Sequence, residues 1–364
     1  MISSITLNNF RSYKKTKINL DNNINVFIGK NGQGKTNLLE AIYYISNIRS
    51  HRSNNDKDLI NNNSDYARII VESIVKNNKE VILSVIHKDG KYFSINNNAV
   101  SKTSDILGRI NTVLFYPTET KIFNDSPSAR RNFFDVEIGK VSSQYTSVFQ
   151  EFNKLLKNRN KILKEEKIDE ILLDVITDKF IDKQIIISKK RNYLVNYINK
   201  HINSYLKELS SKKLNISMEY KSSVKSLNKE ELVKKYSDNL KRDKFSGLCN
   251  EGIHRDDYIF YTNDVEITKF LSQGQIRLVL LALKFVIIDF IYDKTKKKPI
   301  LLLDDVLSEL DSIHQLKLIK NIPSYVQTII TSTDNYPVFN REKISKFKIE
   351  NSQIMAKEDF NGRS

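Results

Sequence analysis

Tryptophan is absent from the 364 residues, cysteine occurs once and proline five times. The single thiol, Cys249, excludes an intramolecular disulfide and suits a reducing compartment, so a cytoplasmic location is expected. With no His or Asn placed beside it, Cys249 reads as a small core residue. Long apolar runs are missing too. The longest, residues 278–291, is interrupted by Lys284 and Asp289 and falls short of the ~18 residues a membrane span requires. It reads as a buried helix, and no membrane partner is expected. Residues 1–7 lead into Asn8, Asn9 and Arg11 rather than into the apolar core of a secretory leader. Acid is the scarcer charge: 43 Asp and Glu stand against 59 Lys and Arg, a net +16. Such a surplus suits a polyanion, because clustered cations displace counterions from a phosphate backbone. A chain rich in Lys, Asn and Ile is equally what a strongly AT-biased genome yields, so charge alone leaves the partner open.

At this length one large or two modest domains are expected, and 40% hydrophobic residues can fill a sizeable core. The early part reads as short strands at 2–7, 18–20, 24–28, 67–75, 81–87 and 92–95, with hairpin signals such as Asp89-Gly90. From about 142 to 241 there is neither Gly nor Pro, and apolar residues recur at helical spacing. Val148, Phe152, Leu155, Leu156, Ile162 and Leu163 form one stripe; Leu194, Ile198, Ile202, Tyr205 and Leu209 form another. Strand texture returns after Gly247, at 300–303, 326–331 and 347–349. The expectation is an α/β body, 1–120 and 246–364, split by a helical lobe at 121–245.

The chemistry starts at the end of the strand at 24–28, with Gly29, Lys30, Asn31, Gly32, Gln33, Gly34, Lys35 and Thr36, followed by the helical pattern of Leu38, Leu39, Ile42 and Tyr43. This is GxxxxGK[ST] between a strand and a helix. Glycines let backbone N–H groups turn onto phosphates, and the helix N-terminus adds its positive end. Lys35 is the candidate for the β- and γ-phosphates, and the Thr36 hydroxyl for Mg²⁺. The cofactors expected are therefore ATP and Mg²⁺. The apolar run 300–303 ends in Asp304 and Asp305. Asp304 is the expected metal ligand; Asp305 is the candidate to orient the attacking water as general base, and it suits a cap of the next helix as well, neither role excluding the other. A third element, Ser272, Gln273 and Gly274 within Leu271-Ser272-Gln273-Gly274-Gln275, opens the long buried helix and is either a second anion site or a cap.

In this order, the phosphate loop, the helical insertion, LSQGQ and LLLDD followed by Ser308-Glu309-Leu310-Asp311 resemble the P-loop ATP-binding-cassette-type head of chromosome-organising and DNA-repair ATPases. Within that class the chain resembles the RecF family of bacterial replication and repair ATPases over its whole length. The carrying segments are Asn9-Phe10-Arg11-Ser12-Tyr13, Ser50-His51-Arg52, Asp58-Leu59-Ile60, Ser126-Pro127-Ser128-Ala129-Arg130-Arg131-Asn132-Phe133-Phe134-Asp135 and Gly252-Ile253-His254-Arg255-Asp256-Asp257. The resemblance implies a weak, DNA-stimulated ATPase whose two copies close around two ATPs. Arg11 would contact nucleotide. Ser272, Gln273 and Gly274 of one copy would face the γ-phosphate held by Lys35 of the other, with Asp311 near the joint. It further implies ATP-dependent binding of single-stranded, gapped and linear duplex DNA, work with RecR and RecO in recombinase loading, and support of the SOS response and replication restart.

Three features depart from the family pattern. Residues 116–120 keep only Pro117 and a displaced acid, Glu119; Ile276 follows LSQGQ; and Thr331-Ser332-Thr333 stands where transporter cassettes carry a histidine. His51 and His254 are read as structural or placed near the nucleotide rather than as catalytic. For DNA the candidates are Arg130 and Arg131, which equally suit the nucleotide or a lobe junction, and the basic face of Lys154, Lys157 and Arg159, which equally suits a solvated helix. A small-molecule P-loop kinase and a regulatory or defence ATPase are the competing classes. LSQGQ with the Asp304–Asp305 pair argues against the first, and the lack of room for a nuclease domain against the second.

Overall fold

The computed structural model describes residues 1–75, 78–102, 105–211, 213–340 and 343–359. The chain forms two compact units, Met1–Glu119 with Lys207–Ser211 and Leu280–Ser364, and Thr120–Leu206 with Lys212–Val279.

The first unit holds two six-stranded sheets. One is antiparallel, in the order β2-β1-β4-β5-β6-β7, from β1 (Ile2–Phe10), β2 (Tyr13–Asn19), β4 (Tyr66–Val75), β5 (Asn78–His87), β6 (Gly90–Ile95) and β7 (Asn98–Ala99). The other runs β15-β14-β3-β13-β12-β8, from β3 (Ile24–Ile28), β8 (Thr112–Phe115), β12 (Ile300–Asp304), β13 (Gln327–Ser332), β14 (Ile344–Glu350) and β15 (Gln353–Asp359). It is parallel except for the β14–β15 hairpin. Every residue of β12 and β13 is buried, as expected of parallel strands covered on both faces. Helix α1 (Lys35–Asn47) places Leu38, Leu39 and Ile42 in one core cluster with Ile5 and Leu7 of the first sheet and Leu302 and Ile329 of the second. Both sheets therefore bury their apolar side chains against this one helix, which fixes the phosphate loop preceding it.

The two charges that interrupt the long apolar run lie on α8 (Gln273–Thr295), and each has a partner. Lys284 meets Glu119 at 2.5 Å with both side chains buried, and Asp289 accepts from the Tyr325 hydroxyl at 2.6 Å. Glu119 thus serves as the counter-charge of Lys284. The remaining helix of this unit is α9 (Ser312–Asn321). Among the described residues no helix is long and apolar enough to cross a membrane.

The second unit contains α2 (Pro127–Val141), α3 (Ser143–Ile162), all but the last three residues of the 40-residue α4 (Glu170–Leu209), α5 (Lys229–Asp238), α6 (Leu240–Ser246) and α7 (Ile267–Phe270). A three-stranded antiparallel sheet, β11-β10-β9, joins them, from β9 (Ser217–Lys221), β10 (Asp257–Thr262) and β11 (Val265–Glu266). The expected stripes on α3 and α4 bury Val148, Phe152, Ile162, Leu163, Leu194, Ile198, Ile202 and Leu209. The sheet was not expected. Because β10 pairs with β9 (Tyr258↔Tyr220 and neighbours), the unit continues to Val279 rather than closing at 245. Inside it a buried network forms. Arg191 pairs with Asp135 at 2.7 Å and Asp256 at 3.1 Å, and the Tyr145 and Tyr220 hydroxyls donate to Asp135 and Asp256.

Candidate nucleotide and metal site

The loop at 29–36 leaves β3 and enters α1 through two residues of positive φ, Gly32 (+78°) and Gly34 (+98°). Its glycines serve different ends. A side chain at Gly32 would meet nothing within 4 Å, so only its backbone conformation calls for glycine. A Cβ at Gly29 would stand 2.4 Å from the carbonyl oxygen of Ile349, and one at Gly34 2.6 Å from the Ser352 hydroxyl. Both of those neighbours belong to the β14–β15 hairpin. Its two-residue turn, Asn351 (φ +49°) and Ser352 (φ +59°), clasps the loop. The Ser352 N–H donates to the Gln33 carbonyl at 3.1 Å and the Asn351 N–H to Gln33 Oε1 at 2.5 Å. Tyr13 donates from its hydroxyl to the Gly34 carbonyl at 3.1 Å, closing the other side.

Lys35 is 7% exposed, and its ammonium donates to the carbonyls of Gly29 (2.5 Å) and Lys30 (2.9 Å). Burial pulls its pKa down, while Asp305, Asp304 and Asp334 act in the opposite direction. Strand β12 is not the direct neighbour of β3, for β13 lies between them. Thr331, at the end of β13, bridges that gap. Its hydroxyl donates to Asp304 Oδ1 at 2.6 Å, and the Thr36 hydroxyl donates to the same oxygen at 3.0 Å. Asp305 takes a left-handed backbone conformation, φ +50°, held by its N–H bonded to Thr331. Its side chain caps no helix, which removes the cap reading. Oxygen Oδ1 of Asp305 is buried without a hydrogen-bond partner, and burial, aided by Asp304, raises the carboxyl pKa.

These residues fit Mg²⁺. A hydroxyl and a carboxylate are hard oxygen donors, and a buried carboxylate oxygen beside them lacks a partner. Among the described residues no group of three or more His, Cys, Asp or Glu gathers as a cation cage.

The residue that reading the sequence missed is Glu40, on the buried face of α1. Its carboxylate is fully buried and accepts from Arg11 through Nε (2.9 Å) and Nη2 (2.8 Å), from Ser50 (2.5 Å) and from Arg52 (3.3 Å). His51 lies between the rings of Tyr43 and Tyr116, centroids 5.2 and 5.5 Å away, and burial lowers its pKa to about 4. It is therefore neutral at physiological pH. His254 donates from Nε2 to the Cys249 carbonyl at 3.0 Å within the second unit.

Ser272, Gln273 and Gly274 are exposed in the second unit. Ser272 and Gln275 satisfy each other's N–H at 3.3 and 2.9 Å, the reciprocal capping pattern S-x-x-Q at the start of α8. Asp311 caps α9 in the first unit by accepting from the His314 N–H at 2.9 Å, and its other oxygen meets His314 Nδ1 at 2.7 Å.

The DNA candidates divide. Lys154 and Lys157 are exposed. Arg159 is not, and the expectation that it shares their basic face is overturned. It is 1% exposed, pairs with fully buried Asp243 at 2.8 Å and stacks over Tyr236. A guanidinium so enclosed touches no phosphate. Arg130 grips Asp257 through two 2.7 Å bonds, and Arg131 donates to the Asp256 carbonyl at 2.6 Å. Both hold the second unit together internally.

The chain matches the family described as RecF/RecN/SMC N terminal domain over residues 1–356. It is 36% identical to the DNA replication and repair protein RecF of Clostridium beijerinckii, over 97% of this chain and 98% of that one. Its identity to the RecF of Clostridium perfringens is 38%, over 97% of each. A solved structure of the recombination mediator protein RecF with ATP, in the RecFOR pathway, matches with a TM-score of 0.89 at 30% identity, covering 98% of this chain and 97% of that chain. An Smc head bound to the C-winged helix domain of ScpA matches at TM-score 0.60 and 18% identity, which shows the shared head fold alone. With an α/β P-loop head of the ATP-binding-cassette type and relatives of this similarity over nearly its full length, the chain belongs to the RecF family of DNA replication and repair proteins.

Proposed function

We propose that this chain binds ATP with Mg²⁺ through residues 29–36 and Asp304, and that two copies close over two nucleotides to hold DNA during recombinational repair. The observation that carries the reading is the pair of hydroxyls, Thr36 and Thr331, meeting on Asp304 Oδ1 at the mouth of the phosphate loop. Bound there, Mg²⁺ supplies positive charge against the phosphate oxygens. The backbone N–H groups of the loop and the Lys35 ammonium neutralise the rest, and Asp305 orients water for slow hydrolysis. Exposed Ser272, Gln273 and Gly274 face the nucleotide of the second copy, and Asp311 lies near that joint. Single-stranded, gapped and linear duplex DNA are the ligands proposed, with RecR and RecO as partners in recombinase loading and SOS induction, in the cytoplasm. The printed name of the solved relative, a recombination mediator of the RecFOR pathway, supports the partner assignment.

The test is size-exclusion chromatography with ATP, ADP and no nucleotide, run with and without a gapped duplex, beside a fluorescent-ATP titration. Lys35→Ala is expected to lose ATP affinity, and Ser272→Arg to keep it but stay monomeric. Unchanged affinity in the first variant overturns the phosphate-loop assignment. An ATP-induced dimer in the second removes the role of Ser272 in trans.

A further inference from the structure

Glu40 lies five residues beyond Lys35 on α1, so at a rise of about 1.5 Å per residue it is roughly 8 Å along the helix from the phosphate end. A fully buried carboxylate at that depth needs a counter-charge, and Glu40 has two. The Arg11 guanidinium docks side-on in a two-bond fork, and its Nη1 donates to the Asp58 carbonyl at 2.6 Å. Arg52 Nη1 reaches Oε2, the oxygen that also accepts from Arg11 Nε, and donates as well to the Asn37 side-chain oxygen at 2.9 Å. Asn37 directly follows Thr36, so Arg52 extends from Glu40 to the first turn of the phosphate helix. The Ser50 hydroxyl donates to Glu40 and accepts the N–H groups of Arg52 and Ser53 at 2.9 and 3.1 Å, so the turn carrying Arg52 is itself tied to the carboxylate. Arg52 remains 44% exposed and Arg11 21%.

We infer that Glu40 is a positioning residue: it gathers Arg11 and Arg52 into one cationic clamp, open to solvent beside the phosphate loop, that takes the polyphosphate of the nucleotide. Two guanidinium groups against one carboxylate leave a net positive charge facing outward. Without the shared anion they repel each other and lose their common orientation. The arrangement joins the segments at 9–13 and 50–52 to the phosphate helix, and it rests on the ATP reading above.

The test is a double-mutant cycle on ATP affinity, with thermal melts of each variant: wild type, Glu40→Gln, Arg11→Ala and the pair. Losing a charge-assisted fork is expected to weaken ATP binding by about tenfold or more in Glu40→Gln. Because Glu40 acts through the arginines, the pair binds only about twofold more weakly than the worse single variant. If Glu40→Gln does not fold, Glu40→Asp, which is too short to reach both guanidinium groups, replaces it in the same cycle. Wild-type affinity in the Glu40 variant, or losses that multiply in full, overturns the inference. Lys35→Ala runs alongside as a control. Should it bind ATP like wild type, the nucleotide reading itself fails; should it lose ATP while the Glu40 variant does not, only the clamp fails.

Discussion

Asp305 combines two unfavourable features, a left-handed backbone at a non-glycine residue and a buried carboxylate oxygen that the fold does not satisfy. Such features persist where they serve a site. Its carboxyl pKa in the fold lies above the ordinary value. The folded protein therefore holds that proton more tightly than the unfolded chain, and this contribution to stability is lost as pH rises through the folded pKa. At neutral pH the charged form is the costly one. Asparagine tolerates the left-handed conformation and carries no charge, so Asp305→Asn is expected to raise the thermal midpoint at pH 7, with the gain shrinking as pH falls into the carboxylate range. The same change removes a proton acceptor, and hydrolysis is expected to slow by about a hundredfold or more, with ATP-closed dimers accumulating on sizing. Melts from pH 4 to 8 and a phosphate-release assay check both halves; unchanged hydrolysis would leave Asp305 a structural residue. Residues 29–36 and Asp304–Asp305 were legible because their chemistry is local: a loop between strand and helix, and two acids at a strand end. Glu40 was not, because its partners lie 29, 10 and 12 positions away, and a single acid on a helix carries no local signal.

Among the elements, the β14–β15 hairpin is the one whose role could not be read ahead. Its strand was expected at 347–349, where Phe347 and Ile349 flank Lys348, but nothing in Asn351-Ser352 announces contact with a loop more than 300 residues earlier. Likewise β9 escaped notice because its five residues follow a long helical stretch and pair only with β10. The core strand β12 was legible for the opposite reason: it is apolar from Ile300 to Leu303, whereas β13 carries only Ile329 and Ile330 between polar residues, though both strands are buried throughout. The clasp makes a graded prediction for the loop glycines. Gly32→Ala meets no atom and costs only its positive φ, about 1 kcal/mol. Gly29→Ala drives a methyl group into the backbone carbonyl of Ile349, which cannot swing aside as a side chain would, and is expected to cost roughly 1–3 kcal/mol as overpacking. Gly34→Ala combines the positive φ with a contact on the Ser352 hydroxyl, a side-chain atom that can turn away. Thermal melts without nucleotide should therefore place Gly32→Ala above both Gly29→Ala and Gly34→Ala. If Gly29→Ala melts with or above Gly32→Ala, the hairpin does not brace the loop.

For the molecule as a whole, the excess of positive charge acquires meaning only once buried and exposed cations are separated. Arg159 and Arg191 are buried against Asp243 and Asp135 inside the second unit, whereas half-buried Arg130 pairs with Asp257 and half-buried Arg131 donates to the Asp256 carbonyl. The segments at 126–135 and 252–257 are thus bonded to each other, and the exposed Lys154 and Lys157 of α3 are the cations proposed for a polyanion. Each phosphate neutralised contributes about 0.9 to the slope of log affinity against log salt. If Lys154 and Lys157 each meet a phosphate, the double change Lys154→Ala, Lys157→Ala lowers that slope by about 2 and leaves the melting temperature nearly as it was. Arg159→Met should behave in the opposite way. It strands a buried Asp243, leaving that carboxylate only the Asn250 donors at 2.9 and 3.0 Å, and removing one partner of a buried ion pair costs roughly 3–5 kcal/mol. Its stability is expected to drop while the salt slope of whatever folds stays at the wild-type value. Titrating a labelled gapped duplex with ATP at several salt concentrations, beside a thermal melt of each variant, decides the matter. A stable Arg159→Met with a reduced slope would return that arginine to the DNA surface, and an unchanged slope in the lysine double variant would move the DNA path off α3.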